Sequence, residues 1–125
     1  MFQDEVRFLF TATIDYDPGA DEVIPIGVAP KDLKLREAYV TVVNDVAAST
    51  ADYFRVRLVK ISSGVQTPLT DWAGGTAGWT GLSPVQFTIV ESSVGQGDVL
   101  AVEYDETGAA TFTQMAVQAN VTYGN

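Results

Sequence analysis

The residues best suited to chemistry in this sequence are carboxylates, because it contains sixteen Asp and Glu side chains but no histidine and no cysteine. Without those two residue types the usual nucleophile triads cannot be built, and zinc loses its common ligands. Two carboxylates at a suitable separation could still hydrolyse a glycoside. Most of the acidic residues, however, fall in turns such as 15–22 and 103–106, where exposure to solvent accounts for them. We therefore expect a protein that is not an enzyme and that needs no cofactor.

One turn gathers four carboxylates, at Asp15, Asp17, Asp21 and Glu22. Such hard oxygens are the ligands that calcium prefers. Their spacing does not match an EF-hand loop, in which oxygens alternate through a longer loop with glycine at its sixth position. We interpret the turn as solvated and expect no metal site.

The segment DWAGGTAGWTG, residues 71–81, contains both tryptophans of the chain, Trp72 and Trp79, together with four glycines. The glycines let the chain fold back sharply, so that the two rings can approach the same surface. Three interpretations are open. The rings could anchor the loop to its own domain, they could be buried against a neighbouring copy, or both could be exposed as a carbohydrate platform with Asp71 contacting hydroxyl groups.

The formal net charge of −9 argues against nucleic acid as a partner, because phosphate binding depends on lysine and arginine. All seven basic residues lie within the first 60 positions, and the one close cluster consists of Lys31, Lys34 and Arg36. Any surface that meets an acidic partner is therefore expected in the first half of the chain.

The elements that position these residues are predicted to be strands, because apolar and polar residues alternate with a period of two. In YFRVRLVKI, for example, Phe54, Val56 and Leu58 share one face, and Arg55, Arg57 and Val59 share the other. The pattern predicts strands over residues 6–14, 23–29, 35–45, 53–61, 65–69, 85–91, 98–105 and 109–123.

About eight antiparallel strands in 125 residues, with one possible helical turn in PKDLKLREA, predict an all-β fold, most naturally a jelly-roll β-sandwich. We expect an N-terminal arm over residues 1–5 and a single domain over residues 6–125. The first ten residues place acidic side chains where a signal peptide needs positive charge, so we expect no secretion signal. No run of 18 apolar residues predicts a membrane span.

The whole pattern resembles the small jelly-roll cement or decoration proteins of tailed bacteriophage capsids. The features that carry the resemblance are the absence of cysteine, the short segment MFQDE before the first strand, and the ending GQGDVLAVEYDETGAATFTQMAVQANVTYGN. That ending is similar to the close of many trimeric jelly rolls.

The resemblance implies a homotrimer on the outer surface of the virion capsid, made in the host cytoplasm and bound to the major capsid protein. On this hypothesis Phe2, Lys31, Lys34 and Arg36 contact the capsid, while Trp72 and Trp79 lie at or near the subunit interface. The alternatives are a carbohydrate-binding module and a tail accessory protein that helps host attachment.

Overall fold

The computed structural model describes the backbone of residues 7–123 and the side chains of residues 9–123. This part of the chain forms ten β-strands and has no helix that could span a membrane. The strands are β1 (Arg7–Ile14), β2 (Glu22–Val28), β3 (Leu33–Val42), β4 (Tyr53–Ser62), β5 (Val65–Pro68), β6 (Ala73–Gly74), β7 (Val85–Gln86), β8 (Ser93–Val94), β9 (Val99–Thr107) and β10 (Met115–Tyr123).

The strands form two antiparallel sheets that pack as a sandwich, so the predicted fold class is confirmed. Sheet A has the order β1-β10-β3-β7, and sheet B has the order β2-β9-β4-β5. The chain crosses between the sheets at each step from β1 to β4, from β6 to β7, and at each step from β8 to β10, as in a jelly roll. Ten strands occur rather than eight because two short strands were not predicted: β6 pairs with β4, and β8 pairs with β3.

The core lies between the sheets and is built by the alternation seen in the sequence. In β3, Ala38, Val40 and Val42 are buried in the core cluster, and the side chains between them are more exposed. In β4 the inward residues are Phe54, Val56 and Leu58. Because the strand period is two, Arg55 and Arg57 project from the other face of sheet B.

The helical turn expected within residues 30–38 is wrong, since β3 begins at Leu33. Leu33 and Leu35 are both buried, which is the period of a strand and not of a helix. Pairing with β8 and β10 fixes this segment, with Lys34 opposite both Ser93 and Thr122.

Two strands predicted from alternation are shorter than expected. The strand placed at 109–123 begins only at Met115, because the preceding loop bonds to side chains of the 43–52 loop. Ala109 N–H donates to Asp52 and Thr113 N–H donates to Asn44. The strand placed at 85–91 ends after Gln86, although Phe87 remains buried.

Bulges interrupt two strands near one end of the sandwich. Arg36 is the extra residue in the pairing of β3 with β10, and Ile26 is the extra residue in the pairing of β2 with β9. The bulge leaves both Arg36 and Glu37 exposed instead of turning one of them inward. The predicted N-terminal arm, including Phe2, lies outside the described residues.

Candidate functional site

Trp79 lies in the core of the sandwich. Its side chain is only 6% exposed, its ring stacks on Phe54 with centroids 5.2 Å apart, and its Nε1–H donates to the Phe54 carbonyl oxygen at 3.2 Å. The backbone N–H and carbonyl of Trp79 both form hydrogen bonds with the backbone of Val46, each 2.9 Å long. The indole of Trp79 therefore fastens the 71–81 segment to β4, and its backbone fastens the segment to the 43–52 loop.

The glycines of this segment are needed where the indole and the backbone approach closely. Gly74 has φ +84°, and a Cβ there would lie 2.1 Å from Cζ2 of Trp79. Gly78 has φ +77°, and its Cβ would lie 2.2 Å from the Val46 carbonyl oxygen. No other residue fits either position without moving its neighbours.

Trp72 lies on the other side of sheet B. The guanidinium carbons of Arg55 and Arg57 are each 4.2 Å from the centroid of its ring. Arg55 also pairs with Asp105 at 2.7 Å, and Arg57 pairs with Glu103 at 2.6 Å.

The two tryptophans are thus separated by β4, so the expectation that both rings approach one surface is wrong. β4 alternates between its faces and presents Phe54 to Trp79 on the inner face and the two arginines to Trp72 on the outer face. A carbohydrate platform needs both tryptophans exposed. The structure instead buries Trp79 and places the guanidinium groups of Arg55 and Arg57 against the ring of Trp72, while Asp71 is exposed.

The predicted basic residues meet at one end of the sandwich, which we call the basic end. It is the end at which β3 begins and β4 and β10 finish, and it carries Lys31, Lys34, Arg36 and Lys60. Arg36 Nε donates to Thr122 Oγ1 at 2.9 Å, and Lys31 Nζ lies 5.4 Å from the centroid of the Tyr123 ring. The three residues grouped by sequence are therefore also close in space, around the last residues of β10.

Lys60 joins this group although sequence analysis did not select it. It follows Phe54, Val56 and Leu58 on the inward face of β4, and its side chain is 17% exposed. The signal was present in the alternation, since a lysine at an inward position is unusual. Its ammonium donates to the Ser93 carbonyl oxygen at 2.7 Å, and Lys34 donates to the Ser93 hydroxyl at 3.0 Å.

These two lysines border a cavity of about 590 Å³, here called the end cleft, where β8, the β8–β9 turn and the end of β4 meet. Among its other lining residues are Asp32, Ser62, Gln96 and Asp98. Asp32 accepts the N–H of Gln96 and Asp98 accepts the N–H of Gly95, both within 2.9 Å, so the carboxylates hold the turn in place.

The opposite end of the sandwich is acidic. Its loops contain no lysine or arginine and carry Asp15, Asp17, Asp21, Asp45 and Asp52, and the adjoining strand ends add Glu22 and Glu106. Several of these carboxylates accept backbone N–H groups of neighbouring loops, for example Asp21 from Glu106 and Asp45 from Gly81. Among residues 9–123 no group of three acidic side chains is arranged to hold a metal ion.

Tyr104 links the acidic end to the core. It is buried among the rings of Phe54 and Phe112, and its hydroxyl donates to Glu106. Burial raises the pKa of this phenol, and the hydrogen bond to Glu106 raises it further. Tyr104 therefore stays protonated in the folded protein, as an anchor for the 106–114 loop.

Comparison with known proteins identifies the fold. No protein-family model matches the sequence, and no curated protein matches it either. Among solved structures, a chain of the capsid of Ralstonia phage GP4 is similar over 98% of this chain and 86% of its own length, with 20% sequence identity and a TM-score of 0.63. At this identity the likeness shows a shared fold.

Two further structures are more distant. A chain of infectious bursal disease virus, Gx strain, is 12% identical with a TM-score of 0.45, over 98% of this chain and 33% of its own. A chain of Desmodium yellow mottle tymovirus is 11% identical with a TM-score of 0.38, over 100% of this chain and 93% of its own.

Proposed function

We propose that this protein is a virion structural protein, and more specifically a capsid decoration protein that binds the assembled lattice as a homotrimer and stabilises it. The observation that carries the proposal is the likeness to a chain of the Ralstonia phage GP4 capsid, with a TM-score of 0.63 over nearly the whole of both chains. The match covers a separate chain of similar length, which agrees with a small accessory subunit rather than a piece of a large shell protein.

Stabilisation of a lattice needs binding and no bond-making step. A protein that binds only the assembled shell favours it by RT ln(1 + [L]/Kd) for each site, which is about 2.7 kcal/mol when the free concentration is 100 times Kd. A rigid sandwich with side chains held by hydrogen bonds suits this role, because little entropy is lost when a preorganised surface binds.

The basic end is the proposed lattice contact, through Lys31, Lys34 and Arg36. Phe2, which lies outside the described residues, is proposed as a further contact residue. In a chain of net charge −9, this end is best suited to an acidic shell surface. Thr122 and Ser93 hold the Arg36 and Lys34 side chains in position. The acidic end would then point away from the capsid, on the outer surface of the virion.

The homotrimer is the proposed assembly of the bound protein. Trp79 is already used within its own subunit, so Trp72 and its two arginines are the part of the tryptophan segment available to a subunit interface. Three copies of a 13.4 kDa chain weigh about 40 kDa, and native mass measured at low and high salt tests the assembly in solution.

The test of a decoration role is quantitative mass spectrometry of purified virions of the virus that encodes the chain. A decoration protein occurs in a fixed ratio to the major capsid protein, with many copies for each particle. A few copies for each virion would indicate the tail accessory protein instead, and absence from purified virions would overturn the proposal.

The contact surface is tested by co-sedimentation with shells that lack this protein. The variant Lys31→Ala, Lys34→Ala, Arg36→Ala should lose occupancy, whereas Asp15→Asn with Glu22→Gln at the acidic end should keep it. Equal occupancy for the two variants would contradict the assignment of the basic end to the lattice.

A further inference from the structure

The end cleft is bordered by two ammonium groups that donate hydrogen bonds to the same residue, Ser93. Lys34 reaches the Ser93 hydroxyl from the outer side of sheet A, and Lys60 reaches the Ser93 carbonyl from the inner side of sheet B. The two charges are therefore held at the border of one cavity of about 590 Å³. Two like charges at the border of one cavity repel each other, and a negative group bound between them would offset that repulsion.

The described residues accept only a part of the hydrogen bonds that these lysines can donate. Each ammonium carries three N–H donors, and Ser93 accepts one from each. The nearest carboxylate of the described chain, Glu91, lies 3.8 Å from Lys60 Nζ, beyond hydrogen-bond distance. Lys34 has no carboxylate within 4.0 Å among residues 9–123.

The carboxylates that line the cleft are directed at the backbone. Asp32 and Asp98 accept N–H groups of the β8–β9 turn, at 2.9 and 2.8 Å. They keep that turn rigid and make the lining electrically neutral overall. Because the two aspartates offset the charge of the two lysines, the cleft suits a ligand with one negative charge better than a ligand with two, which the aspartates would repel.

We propose that the end cleft binds a single carboxylate side chain, from Asp or Glu of a partner protein, between Lys34 and Lys60. The identity of that partner as a lattice protein rests on the proposed function, but the carboxylate site itself does not. Lys34 and Lys60 each donate to the incoming carboxylate oxygens, and Gln96 also lines the cleft.

The site is tested by titrating the isolated, 15N-labelled protein with a capped Gly-Gly-Glu-Gly-Gly peptide. Binding is measured from the backbone amide chemical shifts of the protein. The matched probe is the same peptide with Gln in place of Glu, which keeps the shape and removes the charge. Saturable shifts confined to residues 32–34 and 93–98 are expected with the Glu peptide. The Gln peptide should bind at least about tenfold more weakly than the Glu peptide, because its amide cannot form the charge-assisted hydrogen bonds of a carboxylate.

Variants assign the effect to the two lysines. Lys60→Met keeps most of the buried stem and removes the ammonium, and Lys34→Ala provides a second test should Lys60→Met fold poorly. Each should weaken Glu peptide binding at least about tenfold. Arg55→Ala removes the same charge on the outer face of sheet B, away from the end cleft, and should change binding less than about threefold.

Equal binding of the Glu and Gln peptides, or unchanged binding in both cleft variants, would overturn the site. Inorganic phosphate is the third probe, and saturation by phosphate without saturation by the Glu peptide would mean a small-anion site and also overturn the proposal. Absence of the protein from virions would remove the lattice partner but leave the peptide result standing, so the two failures are distinguishable.

Discussion

The ring of Trp79 stacks on the ring of Phe54 at 5.2 Å, and the indole N–H donates to the carbonyl oxygen of the same residue. Phe54 also contacts Tyr104 and Phe112. A single inward residue of β4 therefore joins the glycine-rich 71–81 segment to the loop that precedes β10. The glycine-rich segment is thus fixed through a core ring that contacts three other rings.

Replacement of Trp79 should strongly destabilise the fold. Trp79→Ala removes a buried indole and leaves a cavity, which costs about 3–5 kcal/mol in the free energy of unfolding. Urea denaturation followed by circular dichroism measures the loss. Leu82→Ala is the matched control in the same region, because Leu82 is 72% exposed and its truncation should cost less than about 0.5 kcal/mol. Similar losses for both variants would contradict the anchoring role of Trp79.

Gly74 tests the close approach of the backbone to this ring. Gly74→Ala and Gly64→Ala both place a side chain at a positive φ, +84° and +81°, and so share the same backbone strain. Only at Gly74 does the new Cβ meet the Trp79 ring, whereas at Gly64 it meets nothing within 4 Å. We expect Gly74→Ala to cost about 1–3 kcal/mol more than Gly64→Ala. Equal melting temperatures for the two variants would show that the ring moves aside freely.

Alternation in the sequence predicts which side chains of β3 and β4 face the core, because a strand buried on one face carries that pattern directly. The same alternation overextends the last strand, since Phe112 is buried from a loop whose amides bond to Asp52 and Asn44. A periodic signal cannot distinguish a strand from a loop held by side-chain acceptors far away in sequence.

The candidate site shows a similar division. Clustering along the chain groups Lys31, Lys34 and Arg36 correctly. It misses Lys60, which lies on a different strand far along the chain and meets Lys34 at Ser93, whose two oxygens accept hydrogen bonds from the two lysines. It also places both tryptophans on one surface, because spacing along a flexible segment does not reveal that β4 passes between the rings.

Trp72 should respond to the loss of one of its two guanidinium partners. Arg57→Ala removes one of the two guanidinium groups that pack on the indole, so quenching of tryptophan fluorescence by acrylamide should increase, while the free energy of unfolding falls by about 1 kcal/mol. Lys31→Ala removes an equal charge far from the ring and should leave quenching unchanged.

For the wild-type protein we expect no fluorescence shift on titration with polysaccharide. A saturable shift would restore the carbohydrate-binding alternative.

Tyr104 should make the fold sensitive to alkaline pH. Burial and the hydrogen bond to Glu106 raise its pKa above the ordinary value of 10.0, so the folded state holds a proton that the unfolded chain releases. The stabilisation that this protonated phenol contributes is complete below about pH 10 and is lost as the pH rises further. Unfolding followed between pH 8 and pH 12 should therefore show a steep loss of stability above pH 10. Tyr104→Phe also loses the hydrogen bond to Glu106, but it should flatten the dependence of stability on pH. The control is Tyr39→Phe, which removes a hydroxyl from the outer face of sheet A and should leave most of that dependence in place. An equally steep loss in Tyr104→Phe would assign the alkaline sensitivity to another group.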